Sequence, residues 1–349
     1  MKSFERDKLL KQSLTPRLFS TVRLIGEFKG KQQLWREQSP QVLRSLRELA
    51  IIQSTESSSR IEGVVVAPDR LIKLMAKKTK PADRSESEIA GYRDALATIH
   101  GSHEHMPVKP TIIRQLHRDL FKFPSSPGGQ WKPTDNEIIE RRADGTSAVR
   151  FRCVPAAVTP EWVEELCAAF NRIHEQEALD PLLLIPAFVL DFLCIHPFRD
   201  GNGRVARLLT LLLLYQAGYE VGRYISLERI IESTKETYYE SLNASSRRWH
   251  DGKHDLSPWR DYFLGVLLAA YRECEERAGL VTNTRGAKRA LVVGAIEHGP
   301  VEFTIKELER SCPGVSHQMV RLVLDQLRAE HKVKCVGRGP GARWRRIVP

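Results

Sequence analysis

Two apolar runs, "PLLLIPAFVLDFLCI" (residues 181–195) and "LLTLLLLYQAGY" (residues 208–219), are separated by only the twelve residues "HPFRDGNGRVAR", His196 to Arg207. Runs of this length and character read as buried helices, with the first expected over 180–195 and the second over 203–218. Pro197 disfavours the αR conformation at His196, so the first helix should end there. A helical hairpin that is apolar all round must be covered by other helices. Neither run is long enough to span a bilayer, and no membrane contact is expected.

The covering helices can be read from spacing. Residues 39–63 carry Val42, Leu43, Leu46, Leu49 and Ile52 at helical intervals, with Ser39 as N-cap, Pro40 in the first turn and Gly63 as the stop. The middle of this helix is rich in Ser and Thr, poor helix formers, so packing must hold it. Further helices are expected at 84–101, 110–122, 159–178, 226–248 and 256–279. Asn136–Pro155 departs from that pattern and reads as strand, Asp144-Gly145 turn and strand. The fold expected is mainly α with a β-hairpin.

The 349 residues allow two or three domains, and a composition 42% hydrophobic and 28% charged is ordinary for a globular chain. No hydrophobic leader is evident in "MKSFERDKLLKQS", so a cytoplasmic location is expected. Six scattered cysteines without a Cys-x-x-Cys pair argue for reduced core thiols rather than zinc. The net charge of +11 is uneven: from Arg285 onward 13 Lys/Arg face 6 Asp/Glu. After the linker "AGLVTNTRG" come a helix (287–298), a short strand near Phe303, a helix (Ile305–Ser311), the turn "CPGV", a helix (Ser316–Glu330) and two strands around Gly-Pro-Gly. That order describes a small α/β winged helix-turn-helix. His317, Gln318 and Arg321 on its second helix, with Arg338, Arg343, Arg345 and Arg346 on its wing, suit DNA. The same module also serves protein contact or homodimer formation.

The polar link between the apolar runs carries chemistry. Gly201-Asn202-Gly203 permits left-handed backbone that turns successive N–H groups into one concavity, and the following helix N-terminus adds more. Arg204 and Arg207 are cations at the positive end of that helix, a placement that an anion would repay. Asp200 can hold a divalent metal bridging phosphate oxygens. A neutral His196 can take a proton from an attacking hydroxyl. A structural turn needs none of these residues together, whereas a phosphate site with a base at its rim uses all of them.

"HPFRDGNGRVAR" resembles the signature of Fic-domain proteins, His-x-Phe-x-[Asp/Glu]-Gly-Asn-Gly-Arg-x-x-Arg, at every defined position. "SSSRIEG" (Ser57–Gly63) is similar to the family's inhibitory Ser-x-x-x-Glu-Gly motif. "ESEIAGYRDAL", the hairpin and "ETYYESL" fall where Fic proteins have similar segments, so the resemblance covers roughly residues 12–270. It implies a Fic-type helical core with a β-hairpin flap at 136–155, and a division into 1–100, 101–279 and 280–349. The implied activity is transfer of AMP from ATP to a Ser, Thr or Tyr hydroxyl of a target protein, or of the chain itself. His196 would be the base and Asp200 the Mg²⁺ ligand. Gly201, Asn202 and Gly203 would cradle the phosphates, with Arg204 on the triphosphate and Arg207 on the γ-phosphate. Phe198 would be a core anchor and Tyr238 would lie beside the adenine. Ile138 and Ile139 would grip the target by β-augmentation. Ser246 stands where many members have Asn. Gly203 stands where phosphotransferase relatives have Lys, which favours AMP transfer.

The resemblance also gives Glu62 a role. Its carboxylate would form a bidentate pair with Arg207 and compete with the γ-phosphate, with Ser58 one turn back to steady it. The chain would then be autoinhibited. Alternatives are removal of AMP by the same site, or a DNA-binding transcriptional regulator whose Fic core senses nucleotide.

Overall fold

The computed structural model describes residues 1–5, 9, 15–38, 40–123, 128–141, 146–279, 287–312, 315–337 and 342–347. Helices are α1 (Pro16–Gln38), α2 (Pro40–Ile61), α3 (Pro68–Met75), α4 (Arg84–Ser102), α5 (Pro110–Leu120), α6 (Thr159–Glu175), α7 (Pro181–Ile195), α8 (Asn202–Gln216), α9 (Leu227–Ser233), α10 (Lys235–Ser246) and α11 (Ser257–Gly279). Strands β1 (Glu137–Arg141) and β2 (Ser147–Arg152) form an antiparallel hairpin between α5 and α6. Further on lie α12 (Ala287–His298), β3 (Glu302–Thr304), α13 (Ile305–Arg310), α14 (His317–Ala329), β4 (Val333–Val336) and β5 (Arg343–Arg346), the strands ordered β3-β5-β4.

The hairpin of α7 and α8 is the centre of the molecule. Leu184, Phe188 and Phe192 of α7 and Leu208, Leu211 and Leu212 of α8 are essentially inaccessible to solvent. Asp180 caps α7 by accepting from Leu182 N–H at 2.8 Å. Pro186, inside α7, cannot donate a backbone hydrogen bond. Helices α6 and α11 cover α7, whereas α4 and α5 cover α8. Residues from Leu291 to Trp344 build a second apolar cluster of their own around Val292, Val320, Val323 and Leu324.

The Ser-rich stretch of α2 is explained by this packing. Ser54, Thr55, Ser57, Ser58 and Ser59 are buried, and α2 lies against α9, α4 and α8. Thr55 and Ser59 hydroxyls donate to carbonyls one turn back, Ile51 and Thr55, at 2.8 and 2.9 Å. Ser54 donates to Ser226 Oγ at 2.9 Å. Small hydroxylated residues thus allow a close approach while finding partners in a dry interface. The helix closes in a Schellman turn: Gly63 takes φ +82°, its N–H bonds Arg60 C=O, and Val64 N–H bonds Ser59 C=O, both at 2.9 Å. That cap fixes where Glu62 projects.

Several boundaries differ from the sequence reading. The helix expected over 226–248 is two, broken at Thr234 (φ −123°, ψ 32°), whose hydroxyl donates back to Ile230 C=O. Helices α1 and α3 lie outside the predicted set. α1 has no clean apolar stripe, since Phe19 and Leu34 are exposed while Ile25 and Phe28 are buried. α3 is a short helix of eight residues. The Ser39 cap, the Asp144-Gly145 turn, most of the 278–286 linker, the centre of "CPGV", Arg338 and the Gly-Pro-Gly turn lie outside the described residues. Cys153, Cys167, Cys194, Cys274 and Cys312 are buried free thiols, as expected, and Cys335 is exposed. No described helix is long and apolar enough to cross a membrane.

Candidate active site

Residues 196–203 connect α7 to α8 under tension. His196 occupies the left-handed region (φ 52°, ψ 60°), which costs a non-glycine residue about 1–2 kcal/mol. Its neighbours hold it there. Lys132 N–H donates to Pro197 C=O at 2.9 Å, and Lys132 Nζ to Ile195 C=O at 3.0 Å. Asn136 Nδ2 donates to His196 C=O at 3.3 Å and Phe198 C=O at 3.1 Å. Phe198, fully buried, stacks on His117 with centroids 3.8 Å apart. Gly129 N–H donates to His117 Nδ1 at 2.7 Å, which leaves Nε2–H to bond Asp200 C=O at 3.1 Å. Lys132, Asn136 and His117 were not singled out from the sequence. Lys132 and Asn136 lie in the irregular segment before β1, where no periodicity marks them, and His117 is one buried position of α5 with nothing in its spacing to set it apart.

These braces aim the imidazole. His196 Nδ1 lies 3.1 Å from Leu193 C=O, so it carries the proton and Nε2 is left as an acceptor. Burial pushes the pKa of His196 down to about 4; the Leu193 hydrogen bond and Glu62 oppose the shift, while Lys132 and Arg150 add to it. The ring is therefore neutral at pH 7. It opens on a cavity of about 520 Å³ that also reaches the flap and the α8 N-terminus.

The anion cup forms at that N-terminus. Gly201 is left-handed (φ 79°), and the first bond of the α8 ladder runs from Val205 N–H to Gly201 C=O at 2.9 Å. The amides of Asn202, Gly203 and Arg204 thus have no partner within the helix. Two details correct the expected nest. Gly203 is helical and needs no left-handed freedom; its lack of a side chain serves close approach, since a Cβ there would fall on Glu62 Oε1. The Asn202 side chain turns inward, accepting from Phe198 N–H at 2.9 Å and donating to Phe198 C=O at 2.8 Å.

The charged residues form two sets. Arg204 is buried and bonds Glu88 Oε2 of α4 at 2.6 Å and Asp200 Oδ1 at 3.4 Å. Arg84 bonds Glu88 Oε1 at 2.7 Å and Asp200 Oδ2 at 2.9 Å. Arg84, Glu88, Arg204 and Asp200 are thus a closed ring of alternating charge that the sequence reading missed, although "ESEIAGYRDAL" contains Glu88. Asp200 is half exposed and, among the described residues, no cluster of three potential metal ligands exists. Asp200 is the carboxylate beside the anion cup and meets Arg84 and Arg204 through its two oxygens; Mg²⁺ there would displace one of those contacts and draw the rest of its shell from water and substrate phosphate, since Mg²⁺ commonly takes few protein ligands.

The second set is the expected one, with altered geometry. Glu62 Oε1 meets Arg207 Nη2 at 2.9 Å. The pair is not bidentate. Ser58 takes the paired edge of the guanidinium, its Oγ accepting from Nε and its C=O from Nη2, both at 2.9 Å. Burial disfavours the Arg207 charge, yet Glu62 with Tyr238 and Tyr92 raises its pKa overall. Replacing Ser58 with Ala leaves the buried Nε without its acceptor, a loss of about 1–3 kcal/mol. A thermal melt of Ser58→Ala without nucleotide should show Tm lower by several degrees, and an unchanged Tm contradicts the arrangement.

The remaining candidates line the same cavity. Tyr238 is buried, with its ring edge-on to Tyr239 and Trp259 at 5.1 and 5.7 Å. Burial raises its pKa. Ser246 donates to Asn243 C=O at 3.2 Å. Ile138 is half-buried; Ile139, 61% exposed, pairs across the hairpin with Val149, which is also exposed. In the C-terminal part, His317, Gln318 and Arg321 are exposed on α14. Arg343 and Arg345, assigned to the wing, are ion-paired with Glu302, His317 Nδ1 hydrogen-bonds Glu309, and Arg346 Nη1 bonds Ile296 C=O at 3.3 Å.

Residues 107–214 match the Fic/DOC family model. The chain is 29% identical over 100 residues to a Fido domain-containing protein of Dictyostelium discoideum, covering 28% of this chain and 66% of that protein. It is 26% identical over 214 residues to the protein adenylyltransferase Fic of Nematostella vectensis, covering 58% of this chain and 45% of that one. The chain spans less than two thirds of the length of these curated relatives. Among solved structures, a Fic family protein from Desulfovibrio desulfuricans G20 aligns over 96% of this chain and 97% of its own, with a TM-score of 0.63 and 22% identity.

Proposed function

The chain carries a Fic domain, and on that premise we propose that it is a protein adenylyltransferase, transferring AMP from ATP to a hydroxyl of a target protein and restrained by Glu62. The observation that carries this reading is one cavity lined by a neutral His196 with Nε2 as an acceptor, by the α8 N-terminus and by Glu62, whose carboxylate engages the buried Arg207. We take the chain in three parts: a helical region to about residue 100 that contains the inhibitory helix, the catalytic core to 279, and a winged helix from 280.

The chemistry follows from these positions. His196 Nε2 removes the proton of a target Ser, Thr or Tyr hydroxyl as its oxygen attacks the α-phosphorus. The P–O bond to the β-phosphate breaks and pyrophosphate leaves. The amides of α8 and the guanidinium of Arg204 face the phosphates from one side. Mg²⁺ on Asp200 would neutralise charge on the phosphate oxygens. Arg207 would hold the γ-phosphate, which fixes the α-phosphate in line with the hydroxyl. Ile139 and Val149 give the flap an open apolar pair for an extended target segment. DNA contact is the weaker reading, because Arg343 and Arg345 of the wing share Glu302 as an ion-pair partner, which cancels part of their charge.

The proposal is tested by incubating the Glu62→Gly variant with α-labelled ATP and Mg²⁺ in lysate and on its own, and looking for protein-bound label. The pH profile gives a second test. A base must be deprotonated, and His196 holds its proton only below about pH 4. Removing Glu62, which raises that value, lowers it further. The kcat/KM of Glu62→Gly should therefore stay flat as pH falls from 7.5 to about 5.5, where an ordinary histidine would have lost about 90% of its base form. A midpoint near pH 6.5 would show that His196 is not held in this environment.

A further inference from the structure

Arg150 has a buried Nε with no acceptor among the described residues, and the residue lines the cavity where a substrate must lie. It sits on β2 at a break in the hairpin's pairing. Ile138 faces Phe151 and Ile139 faces Val149, so Arg150 has no opposite residue. A bulge of this kind turns a side chain out of the alternating pattern and is common beside active sites. Here it turns Arg150 into the cavity shared with His196, Tyr239 and Ser246. Its Nε is buried and finds no acceptor among the described residues. Glu137, on the opposite strand, pairs with Arg152 at 3.3 Å. The guanidinium is close enough to His196 to disfavour protonation of the imidazole. A buried donor left unsatisfied costs about 1–3 kcal/mol, a cost that an incoming anion removes.

We propose that Arg150 binds a carboxylate of the target, an Asp or Glu two residues from the hydroxyl that receives AMP. This rests on the adenylyltransferase reading above. Two anions are available in such a site, nucleotide phosphate and target carboxylate, and position favours the second. The phosphate cations Arg204 and Arg207 belong to α8, whereas Arg150 belongs to the flap, the wall along which the target segment extends. Side chains of an extended segment alternate, so those facing the cavity recur every second residue. The hydroxyl must face His196, and the side chain that shares its face with Arg150 is then two residues away. The planar fork of arginine suits a carboxylate in two-point contact.

The test uses the full chain with Glu62→Gly and three synthetic peptides identical except for Glu, Ala or Lys two residues from a single Ser. Label from α-labelled ATP should enter the Glu peptide with kcat/KM at least ten-fold above the other two, chiefly through a lower KM. Adding Arg150→Gln should abolish that preference, Arg150→Lys should restore part of it, and Arg150→Glu should move it to the Lys peptide. A merely structural role for Arg150 would not reverse the preference. Binding of a non-hydrolysable ATP analogue should be unchanged by Arg150→Gln; a ten-fold loss would make Arg150 a phosphate ligand and overturn the inference. Equal labelling of all three peptides, or self-labelling with no peptide labelled, overturns the inference alone. If neither the peptides nor the protein takes label, the adenylyltransferase reading falls with it.

Discussion

Glu62→Gly is expected to raise incorporation of label from α-labelled ATP by about 10–30-fold over the wild type, while lowering Tm by a few degrees as the buried Arg207 loses its carboxylate partner. Glu62 and the γ-phosphate compete for the same guanidinium. Arg207 is buried, and Ser58 holds the Nε and Nη2 edge. Glu62 adds a carboxylate on Nη2 and lies against Gly203 at the mouth of the anion cup. A γ-phosphate reaching Arg207 must displace that carboxylate. A hydrogen bond to a charged group is worth about 1.5–3 kcal/mol when buried. Glu62 is 31% exposed, so solvent screening brings the value toward the lower end, about 1.4–2 kcal/mol. Each 1.4 kcal/mol is about a factor of ten in occupancy. The helix itself survives the change, because Ser54, Ser58 and the Schellman turn at Gly63 hold it in place. Labelling no higher than in the wild type would refute the inhibitory role of Glu62.

In the Glu62→Gly background, His196→Ala is expected to reduce labelling by about 10²–10⁴-fold, the usual contribution of a positioned general base. Nucleotide affinity should hardly move, because the α8 amides, Arg204 and Arg207 form the cup and His196 stands at its rim. The left-handed backbone at residue 196 adds a second consideration. Alanine there costs about 1–2 kcal/mol in stability, whereas Asn tolerates that conformation better. His196→Asn separates the two effects: it keeps the turn and lacks the base, and it should lose as much activity as His196→Ala. If His196→Asn retains most of the activity, His196 shapes the loop and another group takes the proton.

The sequence made some of this arrangement legible and hid the rest for physical reasons. The α7–α8 hairpin could be read because both helices are apolar all round and Pro197 forces a stop between them. The Glu62–Arg207 pair was reached from the resemblance of "SSSRIEG" to an inhibitory motif, and the two residues do meet. The partner of each guanidinium edge was not legible. Glu62 was expected to take two contacts on Arg207, but Ser58 takes that edge because α2 packs so closely that its own carbonyl comes within reach. The ring joining Arg84, Glu88, Arg204 and Asp200 depends on how α4 crosses α8, which no spacing along the chain encodes. Lys132 and Asn136 support the strained His196 from an irregular segment, where periodicity offers no signal. Gly203 illustrates a related point: glycine was read as backbone freedom, and its use here is the space it leaves for a carboxylate.

The central claim, an AMP-transferring site restrained by Glu62, is tested most directly by incubating Glu62→Gly and wild-type protein in parallel with Mg²⁺ and either α-labelled or γ-labelled ATP, then measuring label retained on denatured protein. Label should come from the α position only, at least ten-fold higher in Glu62→Gly than in the wild type. Label from the γ position, or equal labelling of the two proteins from the α position, would contradict it.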